Sequence, residues 1–315
     1  MKVLLISLLA YTAGIFSNLG EASPSHQLDD RGNDPKLTSR ACADAPYVFA
    51  TFTADNENDH NEKDMLQIYT SDNGINFELY AKDAWGGVGI EHEIRDPSII
   101  KLDNMYYICY SSGDKDAFGF ISSQNLKDWN FVKKVPVNKQ GSKRVWAPEW
   151  FKDPKDGSIN VIVSIETDDD GFAPYILTST GKAGEFTDAE ALKLHNYGNG
   201  GGQPHIDMFI VHVASDTATP YHAFMKNEDE KHIEHLTSSS LKGTWEYRQT
   251  NDFAGWEHQE GPALTTLPDG KWILWMDNYH GNFGYATSDD LYKWSQKIDM
   301  PSHNKQFRHG TVIRQ

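Results

Sequence analysis

Five short segments of this 315-residue chain each place one ionisable residue near the start of a run with strand character. The segments are IRDPSII, VWAPEWF, PHIDMFIV, QEGPALTTL and FRHGTVI, and the residues are Asp96, Glu149, Asp207, Glu260 and His309. A carboxylate seldom enters an apolar strand without a partner, because removing its charge from water costs free energy. If the five strands begin side by side, these residues line one pocket. The pKa values of carboxylates crowded into one pocket move apart, so that one carboxyl group can act as an acid and another as a base.

Each carboxylate also has a purely local explanation. Asp96 could form an ion pair with Arg95, and Glu149 with Arg144. Asp207 could cap a turn, and Glu260 could accept hydrogen bonds from backbone amides. Structural ion pairs perturb pKa values as well, so any one residue alone is weak evidence. Five segments with an ionisable residue at matching positions favour a shared site.

A repeated unit predicts the elements that position these residues. Each copy has a Ser- or Thr-rich turn, an aliphatic or Gly residue, a polar gap and an aromatic residue. The copies begin near Thr70, Ser122, Thr178, Ser238 and Thr287. A spacing of roughly 50 to 60 residues is close to the length of a four-stranded propeller blade. We therefore predict an all-β fold, a single-domain five-bladed β-propeller, whose blades place their first strands beside the central channel.

Composition limits the partners and the compartment. The formal net charge is −16, which disfavours nucleic acid as a partner because phosphate backbones are repelled. Residues 1–22 resemble a secretory signal peptide, too short an apolar stretch to span a membrane. Residues 23–40 are expected to be a disordered leader or pro-segment, and residues 41–315 are expected to form the catalytic propeller domain. The expected protein is secreted, not bound to a membrane, and monomeric.

Two cysteines leave two alternatives open. Cys42 and Cys109 could form a disulfide in an oxidising compartment, or Cys109 could be a buried thiol inside MYYICYSS.

The ordered motifs R-D-P-S-I-I, V-W-A-P-E-W, H-I-D-M, Q-E-G-P and R-H-G-T-V-I resemble those of family 43 glycoside hydrolases, from about Tyr47 to the C-terminus. The resemblance implies an inverting hydrolase that acts on arabinose-, xylose- or galactose-containing glycans. The activity we expect first is that of an α-L-arabinofuranosidase or arabinan-acting enzyme. The alternatives are a β-xylosidase, a galactan- or galactofuranose-directed hydrolase, or a non-catalytic glycan-binding propeller.

The same resemblance implies residue roles. Asp96 would be the general base, Glu260 the general acid, and Asp207 the residue that raises the pKa of the acid and orients it. The sequence departs from the family pattern at Met208, where the family usually has Pro or Ala after the Ile-Asp pair.

Further residues are candidates for substrate binding: Trp85, Arg95, Trp146, Glu149, Trp256, Lys226 and His309. Lys226 could instead be a solvated strand end, and Trp150 is expected to pack between blades. His309 could bind a water, coordinate a structural calcium ion, or be a core residue. No organic cofactor is implied.

A retaining fructosidase of the invertase type is a rival. Its nucleophile lies in an Asn-Asp-Pro-Asn-Gly motif, but the partial match here, Asn33-Asp34-Pro35-Lys36, lies in the polar leader with no strand after it. We therefore discount it.

Overall fold

A computed structural model describes residues 45–53, 64–86, 94–168, 171–195, 204–279, 282–301 and 307–315. These residues form five sheets, four of them wholly antiparallel, and, within those ranges, no helix. The predicted signal peptide and leader, and Cys42, lie outside the described residues. Every described residue belongs to one unit of the chain, 40–315.

The strands occur blade by blade along the chain. The first sheet has β1 (Tyr47–Thr53), β2 (Met65–Ser71) and β3 (Glu78–Trp85). The second has β4 (Arg95–Leu102), β5 (Met105–Ser111), β6 (Ala117–Ser123) and β7 (Asn130–Pro136). The third has β8 (Ser142–Lys152), β9 (Ile159–Thr167), β10 (Gly171–Thr178) and β11 (Glu190–Ala191).

The fourth sheet has β12 (Lys193–His195), β13 (His205–His212), β14 (Tyr221–Asn227), β15 (Ile233–Ser238) and β16 (Thr244–Gln249). There, β12 lies parallel to β16 at the outer edge. The fifth has β17 (Glu260–Thr266), β18 (Trp272–Asp277), β19 (Phe283–Ser288) and β20 (Ile298–Asp299). The last strand, β21 (Thr311–Arg314), returns to the first sheet and pairs antiparallel with β1.

This pairing closes the ring. Register partners run from Tyr47 with Arg314 to Ala50 with Thr311, so the C-terminal strand is the innermost strand of the first blade. The innermost strands β21, β4, β8, β13 and β17 contact one another in a circle. The predicted all-β five-bladed propeller is confirmed.

The repeated Ser motif forms the turn between the third and fourth strands of a blade. In β6–β7, the Oγ of Ser123 accepts the N–H groups of Asn125 (3.1 Å) and Leu126 (2.9 Å). The indole of Trp129 then donates to the carbonyl of Leu126 at 3.2 Å. Short polar side chains favour such turns because they replace backbone hydrogen bonds locally. Ser71 and Ser288 accept the equivalent amides in their own blades.

The core lies between blades rather than at the channel. Five apolar clusters each contain residues of two adjacent blades. Burial of these faces is the main favourable contribution to folding, and it holds the five inner strands in place. Cys109 is one of these buried residues and is a free thiol, as in the second of the two alternatives for it.

The described residues include no helix that is long and apolar enough to cross a membrane.

Candidate active site

Four of the five innermost strands carry a β-bulge at the same point. The register with the second strand shifts between Arg95 and Ser98, Trp146 and Glu149, Ile206 and Phe209, and Glu260 and Ala263. The first residue inside each shift has a left-handed φ: Asp96 (50°), Ala147 (46°), Asp207 (60°) and Gly261 (55°). Bulges re-aim side chains, and here they turn the strand starts toward one centre.

The bulges also show how four of the five segments align. Asp96 and Asp207 occupy the same bulge position, whereas Glu260 precedes it by one residue and Glu149 follows it by two. The position after it is Pro in three blades and Met208 in the fourth. The departure at Met208 therefore leaves the bulge, and the position of Asp207, intact.

His309 lies at the centre of the site. Its Nδ1 is 3.4 Å from Asp96 Oδ1 and 3.9 Å from Asp207 Oδ2, and its Nε2 is 3.7 Å from Glu149 Oε1. Burial alone would lower the pKa of His309, but the charges of Asp207 and Asp96 raise it well above its ordinary value. The imidazole is thus a buried cation that links three strand starts. Glu149 is itself held by Thr311, whose hydroxyl donates to Oε2 at 3.0 Å.

Asp96 is an ionised carboxylate. Burial raises its pKa, but the hydrogen bond and charge of His309, the charge of Arg95 and a hydrogen bond from Ser111 together bring it below its usual range. The Ser111 hydroxyl donates to Asp96 Oδ2 at 2.7 Å and accepts the amide of Ala147 at 2.8 Å. Ser111 therefore ties Asp96 to the bulge of the next blade.

Asp207 lies between Asp96 and Glu260. Its Oδ2 accepts the amide of Gly261 at 3.1 Å, and its own amide donates to the Ser164 hydroxyl at 3.1 Å. Burial, opposed by His309 and Lys226 but supported by the negative charges of Glu260 and Asp96, raises the pKa of Asp207 to about 6. Gly261 is required here, because a Cβ at this residue would overlap the His309 ring.

Glu260 is held by two cations. Lys226 Nζ donates to its Oε2 at 2.8 Å, and the Arg308 guanidinium lies 3.4 Å from its Oε1. The Lys226 side chain is only 3% exposed and also contacts Glu228 at 2.7 Å. The alternative of a solvated strand end is wrong, because the Lys226 side chain is buried beside Glu260; its role in substrate binding stays a prediction.

Asp277 organises the final blade. Its Oδ2 accepts both Arg308 Nε at 3.0 Å and the amide of His309 at 2.9 Å. Burial and the charge of Glu260 raise its pKa, Arg308 opposes them, and the resulting value is about 6. Three residues of the site, Asp277, Arg308 and Ser111, were not predicted from the sequence. Arg308 stands inside the R-H-G-T motif, but nothing in the pattern identifies its partner.

The local ion pairs considered for Asp96 and Glu149 do not form. The guanidinium of Arg95 lies 3.6 Å from Asp64 and packs on the Phe52 ring, and it acts on Asp96 through its charge rather than through a contact. Arg144 makes its ion pair with Glu166, at 2.9 Å from NH2 to Oε1. These arginines have other acidic partners because the bulge separates their side chains from the neighbouring carboxylates.

The aromatic candidates differ in exposure. Trp256 is 3% exposed and packs against Phe253 and Trp294 between the fourth and fifth blades. This corrects the expectation that it stacks on sugar, since its faces are covered. Trp150 is also buried between blades, as expected.

Trp146 and Trp85 keep part of their surface accessible. Trp146 is half-buried, packs against Phe172 with 4.6 Å between ring centroids and the two rings tilted by 30°, and carries the Arg144 guanidinium over its ring. Trp85 is half-buried at the end of β3 and packs against the cluster between the first and second blades.

The donor set around His309 does not fit direct calcium coordination. Calcium takes oxygen ligands, and a protonated imidazole has no free lone pair. No group of three His, Cys, Asp or Glu side chains in the described ranges is arranged to hold a metal ion. The structural calcium ion stays a prediction.

Comparisons with known proteins agree with this geometry. Residues 44–314 match a family model described as a probable glycosyl hydrolase domain. No curated protein matches the chain. A thermostable family-43 glycoside hydrolase superposes with a TM-score of 0.51 at 20% identity, over 65% of this chain and 72% of that one.

Two enzymes of Bacteroides thetaiotaomicron share the fold. An endo-1,4-β-xylanase has a TM-score of 0.58 at 13% identity, over 81% of this chain and 91% of that one. An endo-arabinase has a TM-score of 0.54 at 18% identity, over 70% and 94%. The family model covers the whole propeller, and this chain therefore belongs to the family-43-related glycoside hydrolases.

Proposed function

We propose that this glycoside hydrolase cleaves plant-type or related oligo- and polysaccharides with inversion at the anomeric carbon, and that α-L-arabinofuranosyl bonds are its preferred substrates. One observation carries the proposal: Asp96 and Asp207, from two blades, lie beside the buried imidazolium of His309, and Asp207 accepts the amide that follows Glu260 of a third blade. A purely structural ion-pair network would need no such convergence at an open strand edge.

Asp96 is the proposed general base. A base must be ionised before it acts, and the pKa of Asp96 is held below its usual range, after the opposing effect of burial, chiefly by His309. In the reaction Asp96 takes a proton from a water molecule, whose oxygen attacks the anomeric carbon on the face opposite the leaving group.

Glu260 is the proposed general acid. Its proton passes to the glycosidic oxygen as the carbon–oxygen bond breaks, so the leaving group departs as a neutral alcohol. The protons then balance: Asp96 gains one, Glu260 loses one, and exchange with water restores both.

Asp207 is the proposed modulator of the acid. It is joined to the peptide of Glu260–Gly261 by a 3.1 Å hydrogen bond, which orients the bulge that carries Glu260. After burial, the negative charge of Glu260 is one cause of the raised pKa of Asp207. Two charged carboxylates at this spacing are disfavoured, so the pair tends to retain a proton.

The sugar is chosen from the family resemblance rather than from the fold. A β-xylosidase and a galactan- or galactofuranose-directed hydrolase use the same machinery, and a glycan-binding propeller without activity remains the alternative from another class. Secretion, directed by residues 1–22, and a monomeric state are part of the proposal.

The first experiment compares the protein with its Glu260→Gln variant on aryl α-L-arabinofuranoside, β-D-xyloside, β-D-galactofuranoside and β-D-galactopyranoside, with debranched arabinan alongside. Loss of a general acid costs on the order of 10² to 10⁴-fold in rate on substrates with poor leaving groups. Lys242→Met is the control, because its exposed ion pair with Glu190 lies on the rim of the third and fourth blades.

Cleavage of the arabinofuranoside that the Glu260→Gln variant loses supports the whole proposal. Cleavage of another glycoside corrects only the sugar. A folded wild-type protein that cleaves nothing in the panel, yet binds oligosaccharide, shows that the proposed function is wrong and that the glycan-binding alternative holds.

A further inference from the structure

Tyr279 occupies an unusual backbone position beside the proposed acid. It follows β18, whose Asp277 is the register partner of Glu260. Its φ is 64°, in the left-handed region that bulky residues rarely adopt. The amide of Tyr279 donates to Asp277 Oδ1 at 2.7 Å, so the carboxylate that holds Arg308 and His309 also fixes this turn.

The ring of Tyr279 covers the cation that holds Glu260. Lys226 Nζ lies 5.4 Å from the centroid of the ring, and the same Nζ donates to Glu260 at 2.8 Å. A cation over an aromatic face is attracted to the ring quadrupole. The aromatic ring therefore forms one wall of the space around the Lys226–Glu260 pair.

The buried hydroxyl of Tyr279 lies close enough to Lys226 for the ammonium to act on it as a donor and lower its pKa, but the proton of the hydroxyl itself has no acceptor among the described residues. Buried polar groups are nearly always paired, and an exception calls for an explanation. Burial, followed by the negative charge of Glu260, raises the pKa of Tyr279, so the hydroxyl remains a donor. A phenylalanine would fill the same space and satisfy the packing without this orphan group.

We propose that Tyr279 is a substrate-positioning residue, whose hydroxyl donates a hydrogen bond to an oxygen of the sugar bound against Glu260, while its ring holds Lys226 in place. The bound glycoside supplies the acceptor that the hydroxyl lacks. Backbone strain that the surroundings maintain is typical of such sites. This inference rests on the proposed function only in taking the site around Glu260 as the place where the sugar binds. It is tested by binding as well as by turnover.

The test uses Tyr279→Phe, which removes only the hydroxyl, and Tyr279→Leu, which also removes the aromatic face. Tyr292→Phe is the matched control, since it makes the same chemical change at a tyrosine that is 36% exposed. Dissociation constants for arabino-, xylo- and galacto-oligosaccharides are measured by calorimetry in the Asp96→Asn background, where turnover is blocked. Steady-state kinetics and pH profiles are measured in the wild-type background.

Tyr279→Phe is expected to raise the dissociation constant and KM about tenfold, and to leave thermal unfolding and the pH profile unchanged. Tyr279→Leu is expected in addition to move the alkaline limb of the kcat/KM profile. Affinities of Tyr279→Phe and Tyr292→Phe that agree within twofold overturn the inference.

The binding measurement separates this inference from the proposed function. If the wild type cleaves nothing but binding depends on the Tyr279 hydroxyl, the proposed hydrolysis fails and the role of Tyr279 stands. If no oligosaccharide binds to the wild-type protein or to the Asp96→Asn variant, both the proposed function and the role of Tyr279 are wrong.

Discussion

His309 Nδ1 lies 3.4 Å from Asp96 Oδ1, although the two residues are more than two hundred positions apart in the chain. The contact joins the end of the domain to the start of its second blade, across the channel side of the propeller. Because His309 is buried and the Asp96 side chain is only 20% exposed, their charges interact in a medium that screens them less than water does. This pair, with Asp207 and Glu149 around it, makes the site a continuous network rather than a set of separate side chains.

His309→Gln is expected to destabilise the fold by about 3 to 5 kcal/mol, because it leaves buried carboxylates without their cation. The pKa of His309 is raised on folding, so its contribution is complete below the unfolded pKa of about 6.5 and is lost as pH rises toward the folded pKa. Urea unfolding from pH 6 to 9 measures this. In that range the free energy of unfolding of the wild type should fall by up to about 1.4 kcal/mol per pH unit more than that of the variant. Parallel pH dependences would contradict a charged His309.

Gly261→Ala is expected to reduce both stability and activity. A Cβ here meets a positive φ of 55° and the His309 ring. The control is Gly157→Ala, whose φ is 76° but whose added Cβ contacts nothing within 4 Å. Backbone strain costs about 1 to 2 kcal/mol at either position, and crowding adds about 1 to 3 at Gly261. Equal losses in urea unfolding would show that His309 does not restrict this position.

Lys226→Met is expected to extend activity to higher pH. The buried ammonium lies 2.8 Å from Glu260, and its charge opposes the burial that raises the pKa of Asp207 to about 6, so its removal lets the pair of carboxyl groups keep a proton to higher pH. The alkaline limb of kcat/KM should move up by about one pH unit. The matched variant, Lys242→Met, breaks an exposed ion pair of the same length and should leave the profile in place. A downward movement would argue against Glu260 as the acid.

Trp146 and Trp256 are expected to respond in opposite ways to alanine substitution. Trp256→Ala empties a core position and should cost about 3 to 5 kcal/mol of stability. Trp146→Ala should leave stability nearly unchanged and raise KM up to about tenfold, which corresponds to about 1.4 kcal/mol. Thermal unfolding and steady-state kinetics on the best glycoside separate the two effects. A stable Trp256→Ala variant with a raised KM would reverse the assignment.

Inversion is expected in the first product. If Asp96 activates water opposite Glu260, the released sugar initially has the anomeric configuration opposite to that of the substrate. Proton NMR in the first minutes, before mutarotation, identifies the anomer. Initial release with the same configuration would require a covalent intermediate and would remove the proposed base role of Asp96.

Sequence patterns predicted the blades well because each blade is a local unit. Its strands are adjacent in the chain, and its Ser-based turn is built from residues three or four apart, such as Ser123 and Leu126. The same patterns located Asp96, Asp207 and Glu260 at strand starts. The bulge that turns Asp96 inward is signalled by the following Pro, while at Asp207 the bulge forms without it.

By itself, the sequence determined the all-β class, the number of blades and the carboxylates at the mouths of three inner strands, because each depends on neighbours along the chain. Only the tertiary structure decided which residues pair through space. Ring closure brings Arg308 to Glu260 and His309 to Asp96, and packing between blades covers Trp256 while it leaves Trp146 half-exposed. Partner choice and exposure depend on which surfaces meet when the ring closes, and such meetings leave no local pattern in the sequence.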